Sequence, residues 1–484
     1  MMQEMNLAAI SIELGIAVLM AAVLLIDLCM ARGTSRRALA RVTALGLLGV
    51  LALAVRMYPP DGGATAFFAG LYIVDGYSVF FKILFIVGVL ATVLFAEGYV
   101  EKMIRHRGEF YLLLLSALLG MCALASANDL MTAFVGLELM TISFYTLVAI
   151  RTDAPLSAEA GIKYLVFGSG STAVLLYGMS LVYGMTGTMV FQGIGQGLGL
   201  VLSLGLIGVV FILAGFFFKL SIIPFHLWAP DVYEGAPAPV TALLAMCSKA
   251  AGVAILLRVL FVAFPALSAY WTHLMAALAC VSMVGGNIMA FRQTNIKRML
   301  AYSSIAQAGY MMTAMVATNA AGIKAVLFYA MVYVLANVGA FVTVSYLETE
   351  RGGADFRSVR GLAHDSLLPA GILMVALLTM AGIPPTAGFV GKIYIFSAAI
   401  DAGYLWLAGL GFVVSMMSVY YYLLVIKEMF RDVEANELMI DTPLRLPLSA
   451  GAMGVIAVAF ALVIGVWAEP LAIFTNVAVY TFMR

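Results

Sequence analysis

Charged residues are scarce in this chain. Asp, Glu, Lys and Arg together make up 11% of its 484 residues, whereas 64% are hydrophobic. Soluble globular domains carry about 25% charged residues, so this composition excludes an ordinary soluble fold. The formal net charge is only +1, and no basic stripe or polybasic tail is present. The lipid bilayer is therefore the expected environment, and nucleic acid is not an expected partner.

Residues that bind metals and cofactors are also few. The chain has four cysteines and four histidines. Cys29, Cys122, Cys247 and Cys280 fall in different apolar stretches without a CxxC pair, and we interpret them as small packing residues. A glycine run at 193–199 is neither preceded by a strand nor followed by a suitably placed acid, which excludes a dinucleotide-binding loop. We expect no flavin, haem, iron–sulfur cluster or metal ion in this chain.

Long apolar stretches dominate instead. Most are near the roughly 20 residues that a membrane-spanning helix needs, and their continuous pattern excludes a β-barrel. The first stretch lacks a basic flank and a small-residue cleavage site, so it predicts a helix and not a signal peptide. The sequence predicts an all-α, multi-pass membrane protein of about fourteen transmembrane helices. The predicted spans are 7–30, 38–57, 77–96, 110–127, 130–150, 160–184, 201–231, 239–264, 269–291, 300–317, 321–346, 367–399, 403–426 and 447–468.

The basic residues indicate how the helices are oriented. Most of the 26 lysines and arginines fall in alternate loops, beginning with the loop after the first span. The opposite side has only Arg56 and Arg484. The positive-inside rule then places the basic loops in the cytoplasm and both termini outside. Representative loop residues are Arg36, Lys102, Arg151, Lys297 and Arg360.

Glu138 is the one carboxylate near the middle of an apolar stretch, LMTAFVGLELMTISFYTLVAI (130–150). A charge at the bilayer centre costs about 2.5–3.5 kcal/mol on insertion scales, and such a residue is a candidate functional residue by default. Lysines stand in three later apolar stretches, at Lys219, Lys249 and Lys392. One buried acid and several buried bases indicate a protein that handles protons within the membrane.

Two of these lysines lie beside prolines that interrupt their helices. Pro224 follows Lys219, and Pro384 and Pro385 precede Lys392. Because proline has no N–H, each leaves a carbonyl oxygen without its helical partner, and inside a membrane that oxygen needs another polar group. In transporters, helix breaks at corresponding positions of the two halves mark the ion site. The breaks predicted here fall in spans seven and twelve, five spans apart, and an odd separation is what an inverted repeat requires. For Lys219, a proline kink with a snorkelling lysine is the alternative. The carbonyls predicted to be freed are those of Leu220, Met380 and Ala381.

The remaining candidates differ in strength. Lys249 lies near the middle of its span, and a buried lysine is a usable proton carrier. Glu138 and Lys219 are expected to switch each other's proton affinity, with a static ion pair as the alternative. Lys163 is a weaker candidate for an access path, with snorkelling as the alternative, and His226 is either a proton relay or a packing histidine. Three basic residues nearer span ends are expected to snorkel: Lys82, Arg258 and Lys324.

Three passages resemble one family closely: PFHLWAPDVYEGAPAPVTALL (224–244), NIKRMLAYSSIAQAGYM (295–311) and AGIPPTAGFVGKIYIF (381–396). They are similar to signatures of subunit N of bacterial respiratory complex I, the NADH-quinone oxidoreductase, and the resemblance covers essentially the whole chain. It implies an antiporter-like subunit of the bacterial inner membrane, with other membrane-arm subunits as partners. It also implies that partner subunits, and not this chain, bind NADH, FMN, the iron–sulfur clusters and quinone.

The resemblance further implies two inverted five-helix bundles and a charged axis. The expected segments are an N-terminal three-helix segment (1–109), the two bundles (110–264 and 265–426), and a loop with a C-terminal helix (427–484). The positions that match the family's axis are Glu138, Lys219, Lys249 and Lys392, with Lys163 as a further match in span six. Related M-type subunits have glutamate in span twelve, so Lys392 favours the N type.

We therefore expect the chain to translocate protons while neighbouring subunits transfer electrons from NADH to quinone. A proton would enter from the cytoplasm, reside on the half that contains Glu138, Lys219 and Lys249, pass to Lys392 and leave outward. The alternatives are a subunit of a multisubunit sodium/proton antiporter or of a membrane-bound hydrogenase. A purely structural anchor is a further alternative, which the insertion cost of the buried charges argues against.

Overall fold

The computed structural model describes residues 7–31, 34–58, 63–197, 202–432 and 445–483, and in these ranges the chain is almost entirely helical. A short antiparallel hairpin pairs β1 (Thr65–Phe67) with β2 (Tyr72–Val74). The prediction of an all-α membrane fold is confirmed, with this hairpin as a small addition. Arg484 and the part of the glycine run beyond residue 197 lie outside the described residues.

The first three helices are α1 (Ser11–Cys29), α2 (Arg37–Met57) and α3 (Gly76–Met103). α3 begins at a capping box, in which the Asp75 carboxylate accepts a hydrogen bond from the Ser78 N–H at 2.7 Å. α3 is buried along most of its length, whereas α1 and α2 keep a largely exposed apolar face. Such a face is what a helix in contact with lipid presents.

The middle of the chain contains a helix that is broken and another that is irregular. Its helices are α4 (Arg107–Ala125), α5 (Leu130–Val148), α6 (Pro155–Thr186), α7 (Phe191–Gly197), α8 (Leu202–Leu220), α9 (Trp228–Gly235), α10 (Ala238–Leu243) and α11 (Lys249–Arg258). The predicted seventh span is divided between α8 and α9, which confirms the break. The eighth contains π-helical turns at Leu244–Ser248 and Val259–Ala263, on either side of α11. Single π turns in α-helices are frequent at functional sites.

The rest of the chain repeats the pattern of one broken helix among continuous ones. Its helices are α12 (Ser268–Ala290), α13 (Ile296–Met315), α14 (Ala320–Arg351), α15 (Phe356–Val359), α16 (Leu362–Asp365), α17 (Leu367–Ala381), α18 (Ala387–Asp401), α19 (Leu405–Met429), α20 (Leu448–Val466) and α21 (Glu469–Met483). The predicted twelfth span is divided between α17 and α18. The chain turns between them at Gly382, whose φ of +79° is accessible to glycine at little cost.

Eleven helical segments of the described chain are long and apolar enough to cross a membrane. Two shorter apolar helices, Gly205–Leu220 and Leu367–Ala381, are the first halves of the broken spans. The chain is therefore a multi-pass membrane protein, while the count of fourteen crossings stays a prediction. The segment boundaries at 109, 264 and 426 also stay predictions.

Helix α21 follows the last predicted span and was not anticipated as a separate helix. Its Phe482 ring packs on Tyr77 of α3, with 4.4 Å between ring centroids, and its Phe474 ring packs on Phe80 at 5.2 Å. The C-terminal end of the described chain is thus held against the N-terminal segment.

Candidate functional site

Lys219, Lys249 and Lys392 lie in the interior of the helical body, with exposed fractions of 3%, 1% and 4%. In the part of the chain that the structure describes, none of the three amino groups forms an ion pair with a carboxylate; their contacts are hydroxyl groups, one carbonyl and aromatic rings. We call these three residues the lysine row. Lysine without a fixed counter-ion can gain and lose a proton, which suits a carrier.

Lys219 is the penultimate residue of α8, immediately before the break. Its Nζ lies 5.5 Å from the centre of the Tyr164 ring and has no hydrogen-bond partner among the described residues. An aromatic face attracts an ammonium group without fixing it as a carboxylate would. The backbone of the break is unusual, since Ser221 has a φ of +57°, a conformation that costs a residue other than glycine about 1–3 kcal/mol. Neighbouring Phe218 is held by the Trp228 indole, whose Nε1 donates to the Phe218 carbonyl at 3.0 Å.

Glu138 is not part of the interior. It is half-buried on α5 and lines an open, mainly apolar groove of about 600 Å³ between α5 and α6. The Thr172 hydroxyl of α6 donates a hydrogen bond of 2.8 Å to its carboxylate. The flank of the molecule therefore carries this acid, in a position where another molecule can cover it.

Glu138 and Lys219 are not in direct contact, contrary to the simplest form of the expected pair. Two aromatic residues connect them. Tyr145 lines the Glu138 groove and packs edge-on against Tyr164 at 4.9 Å between centroids, and Lys219 lies over the other ring of this pair. Both tyrosine hydroxyls are buried without a hydrogen-bond partner in the described chain. The charge of Glu138 thus acts on Lys219 across a layer of low polarity, where screening is weak.

Lys249 follows the first π-helical turn of span eight. Its Nζ donates to the Ser304 hydroxyl of α13 at 2.7 Å, and Ser304 donates in turn to the Ala301 carbonyl at 2.6 Å. Gly252, one turn further along, allows α8 to approach, since a β-carbon there would lie 3.0 Å from Cδ2 of Leu220 and 3.6 Å from Cβ of Lys219. Lys219 therefore lies where α8 packs against α11, the helix that begins with Lys249.

Lys392 donates to the Ala381 carbonyl and to the Ser415 hydroxyl, both at 2.7 Å. The neighbouring Met380 carbonyl accepts from the Gln307 amide at 3.1 Å. Both are carbonyls that the proline pair was predicted to free, so the prediction that such oxygens find polar partners is confirmed at this break. One of those partners is the candidate lysine itself.

Buried polar side chains lie between Lys249 and Lys392, beginning at Ser304, the partner of Lys249, and we call them the polar bridge. Gln307 is at its centre: it accepts a hydrogen bond from the Tyr329 hydroxyl and donates one to the Tyr422 hydroxyl at 3.4 Å. Tyr422 is also hydrogen-bonded to Ser303. A second group follows, in which the Tyr421 hydroxyl donates to Asn287 at 3.0 Å and the Asn287 amide donates to the Tyr310 hydroxyl at 3.3 Å. Lys392 lies over the Tyr310 ring, 5.0 Å from its centre.

The polar bridge was missed by the sequence analysis. Its members on α13 recur at intervals of one, three and three residues within a largely apolar helix. This spacing is the feature from which the sequence could have predicted them. Serine, glutamine and tyrosine carry no charge, so a search for charged residues passes over them. The members on α13 are Ser303, Ser304, Gln307 and Tyr310.

The two weaker candidates have different settings. Lys163 has a side chain that is 37% exposed and pairs with Asp231 at 2.6 Å and Glu159 at 2.8 Å. Arg298 pairs with the same Asp231 at 2.7 Å, so this is a network at the rim of the molecule. His226 lies in the break between α8 and α9, and its Nδ1 is buried without a partner in the described chain, which is compatible with a relay.

Two of the snorkelling predictions were wrong. Lys82 is fully buried and pairs with Glu13 at 2.8 Å, and Arg258 is 2% exposed and pairs with Asp75 at 3.0 Å. Each cation is paired with a carboxylate inside the protein, whereas a snorkelling side chain would reach the lipid headgroup region. Lys324 is half-buried over the Tyr394 ring, 5.7 Å from its centre. Within the described ranges, no group of three or more His, Cys, Asp or Glu could hold a metal ion, and all four cysteines are free.

Comparisons with known proteins identify the family. Residues 127–418 match the family described as NADH:quinone oxidoreductase/Mrp antiporter, TM. The NADH-quinone oxidoreductase subunit N of Heliobacterium modesticaldum is 46% identical over 477 residues, which cover 98% of this chain and 99% of that protein. The chain belongs to the subunit N family.

Solved structures related to the subunit N family have the same fold. A chain of respiratory complex I from Thermus thermophilus with bound aureothin is 36% identical, with a TM-score of 0.82, and the match covers 95% of this chain and 98% of that one. A chain of the Mrp complex from Dietzia sp. DQ12-45-1b is 22% identical, with a TM-score of 0.88 over 99% and 98% of the two chains. The second likeness concerns the fold alone.

Proposed function

We propose that this chain carries protons across the membrane by way of Glu138, Lys219, Lys249 and Lys392, as a membrane-arm subunit of NADH-quinone oxidoreductase. Electron transfer from NADH to quinone belongs to other subunits of the complex, which would bind NADH, FMN, the iron–sulfur clusters and quinone. The observation that supports this function best is the lysine row without counter-ions, joined by the polar bridge. Lys82 and Arg258, by contrast, are each fixed by a carboxylate and could not exchange protons as easily.

The geometry suggests what each residue does. When Glu138 is ionised, its charge stabilises an ammonium group at Lys219 across the tyrosine layer. When the charge of Glu138 is neutralised from the flank, Lys219 loses that stabilisation and gives its proton toward Lys249. The hydroxyls and the amide of the polar bridge then supply the donors and acceptors that a proton needs to reach Lys392. His226 and Lys163 are secondary candidates for this path.

The proposed location is the bacterial inner membrane, with both termini outside. The support for this orientation is the concentration of basic residues in alternate loops. A sodium/proton antiporter subunit is the main rival function, because the family model includes antiporters. High identity over nearly the full length to a subunit N favours the respiratory complex, whereas the likeness to the Mrp chain supports a common fold.

Substitution of Glu138 tests the proposal. In inverted membrane vesicles that contain the assembled complex, Glu138→Gln should slow NADH-driven, quinone-dependent proton uptake by at least about tenfold, the low end for loss of a positioned proton-transfer group. Electron entry from NADH to an artificial acceptor should not change, since in this proposal that step belongs to other subunits. Glu109→Gln is the control, because that side chain is 57% exposed.

The result that contradicts the proposal is full proton uptake by the Glu138→Gln complex. Lys392→Met should impair the release side in the same assay, and unchanged proton release would remove Lys392 from the path. Sodium-dependent and electron-independent proton exchange by the purified chain would instead support the antiporter function.

A further inference from the structure

A second pair of an acid and a lysine lies at the end of α13 and α14 that faces the basic loops. The predicted topology places Lys297 in a loop, but the residue is only 4% exposed. Its Nζ donates to the Ala236 carbonyl at 2.8 Å and to Glu348 at 3.3 Å. Neither residue has a role in the function proposed above.

Glu348 is shared between parts of the chain that are distant in sequence. One carboxylate oxygen contacts Arg151 at 3.4 Å and the Tyr99 hydroxyl at 3.1 Å. The other contacts Lys297 and accepts from the Ala238 N–H at 3.1 Å. Arg151 lies three residues after the end of α5, the helix that carries Glu138. Because one carboxylate serves two cations, a stronger bond to one weakens its hold on the other.

A polar route leads from this pair to the lysine row. Lys297 and Ser304 lie on one face of α13, two turns or about 10.5 Å apart, and Ser304 is the partner of Lys249. Tyr233 of α9 is fully buried, and its hydroxyl lies beside that of Ser304. Buried hydroxyls are normally hydrogen-bonded, so these two together offer a donor and an acceptor between Lys297 and Lys249.

We propose that Lys297 is the residue that loads Lys249 with protons, and that Glu348 is its switchable counter-ion. This inference rests on the proton-translocating function proposed above. In the step, an N–H bond of the Lys297 ammonium breaks, the proton passes through the Tyr233 and Ser304 hydroxyls with intervening water, and an N–H bond forms on neutral Lys249. Lys297 then takes a proton from water at the face with the basic loops.

Arg151 supplies the trigger. When α5 moves so that Arg151 binds Glu348 more closely, the carboxylate holds the Lys297 ammonium less strongly and the proton is released. Loading of Lys249 is thereby coupled to the helix of Glu138, so Glu138 and Glu348 act in sequence and not independently.

An exposed ion pair at the same end of the molecule supplies a matched control. Lys102 of α3 and Glu350 of α14 form an ion pair of 2.6 Å whose side chains are 57% and 36% exposed. Glu350 is two residues from Glu348, and its exposed pair gives little stability. Substitutions there change charge at the same end of the molecule without touching the buried route.

The experiment measures NADH-driven proton uptake by assembled complexes in inverted vesicles, with electron entry and subunit content checked in each preparation. Lys297→Met and Glu348→Gln should each lower the proton-uptake rate by at least about tenfold. Glu348→Asp should restore most of the rate, and Lys102→Met and Glu350→Gln should match the unsubstituted protein. Tyr233→Phe keeps the ring and removes only the hydroxyl, and it should slow proton uptake several-fold. If the charge variants fail to assemble, this variant alone tests the route from Lys297 to Lys249.

Two outcomes separate this inference from the function on which it rests. If Lys297→Met and Tyr233→Phe take up protons at the unsubstituted rate while Glu138→Gln is impaired, Lys297 is not the loading residue and the proposed function stands. If Glu138→Gln is also unimpaired, the proposed function itself is overturned.

Discussion

At the residue scale, counter-ions divide the buried cations into two groups. Lys82 and Arg258 each face a carboxylate, and removing one partner of such a buried pair typically costs 3–5 kcal/mol. The three members of the lysine row face hydroxyls, a carbonyl and rings. Hydropathy could predict that the members of the lysine row are buried, because each lies well inside its own apolar stretch. It could not predict the burial of Lys82 and Arg258, because their partners Glu13 and Asp75 come from distant parts of the chain.

Thr172 allows a test at this scale. Its hydrogen bond to Glu138 of 2.8 Å involves an ionised acceptor, and such bonds contribute about 1.5–3 kcal/mol. Thr172→Val keeps the shape and removes the donor, so the Glu138 charge loses this stabilisation and proton uptake should fall by roughly tenfold. The assay is proton uptake by vesicles at matched complex content.

Thr146→Val is the control for this substitution. Thr146 lines the same groove and donates only to the Ile142 carbonyl, at 3.2 Å. Equal rates for the two valine variants would show that the Thr172 bond has no part in proton transfer.

At the element scale, prolines predicted which helices are broken but not how. α8 already ends at Leu220, before Pro224, and the chain continues through a positive φ at Ser221. The π turn before Lys249 has no proline or glycine signal at all, since its form depends on the helices that pack around it. The break in span twelve was predicted more fully, because Pro384, Pro385 and Gly382 coincide there.

Gly388 tests how tightly the second break is packed. A β-carbon at this position would lie 1.7 Å from the Thr379 carbonyl oxygen, a backbone atom that cannot move aside easily. Gly388→Ala should therefore separate α17 from α18, disturb the site around Lys392 and reduce the amount of assembled complex severely, measured by native gel electrophoresis.

Gly371→Ala is the matched control on α17, since nothing lies within 4 Å of its β-carbon position. Alanine favours a helix over glycine by up to about 1 kcal/mol, so this variant should assemble normally. Normal assembly of Gly388→Ala would mean that the two half-helices are not closely packed in the membrane.

At the scale of the whole molecule, the length of the apolar stretches predicted the multi-pass architecture well, because a membrane span can be recognised from its own local sequence. The hairpin β1–β2 and helix α21 were missed, since their short segments are fixed by contacts with distant parts of the chain. Tyr72 of the hairpin, for example, forms a hydrogen bond of 2.7 Å with buried Lys82. The lysine row could be predicted in outline, whereas the polar bridge depends on neutral side chains that only the tertiary structure brings together.

Orientation can be tested on the complete molecule by cysteine labelling. Asp153 lies in the loop after α5, with a side chain that is 72% exposed, and Thr65 is exposed on the hairpin. A membrane-impermeant thiol reagent should label Asp153→Cys in inverted vesicles and Thr65→Cys in spheroplasts. The reverse pattern would place both termini in the cytoplasm and contradict the positive-inside assignment.

Glu138 lies on an open flank and not in the interior, so part of its surroundings comes from outside the chain. The molecule that occupies the groove beside it sets part of the dielectric environment of the carboxylate. The electrostatic setting of this acid is therefore a property of the assembly, and a different neighbour would alter it without any change in this chain's own sequence.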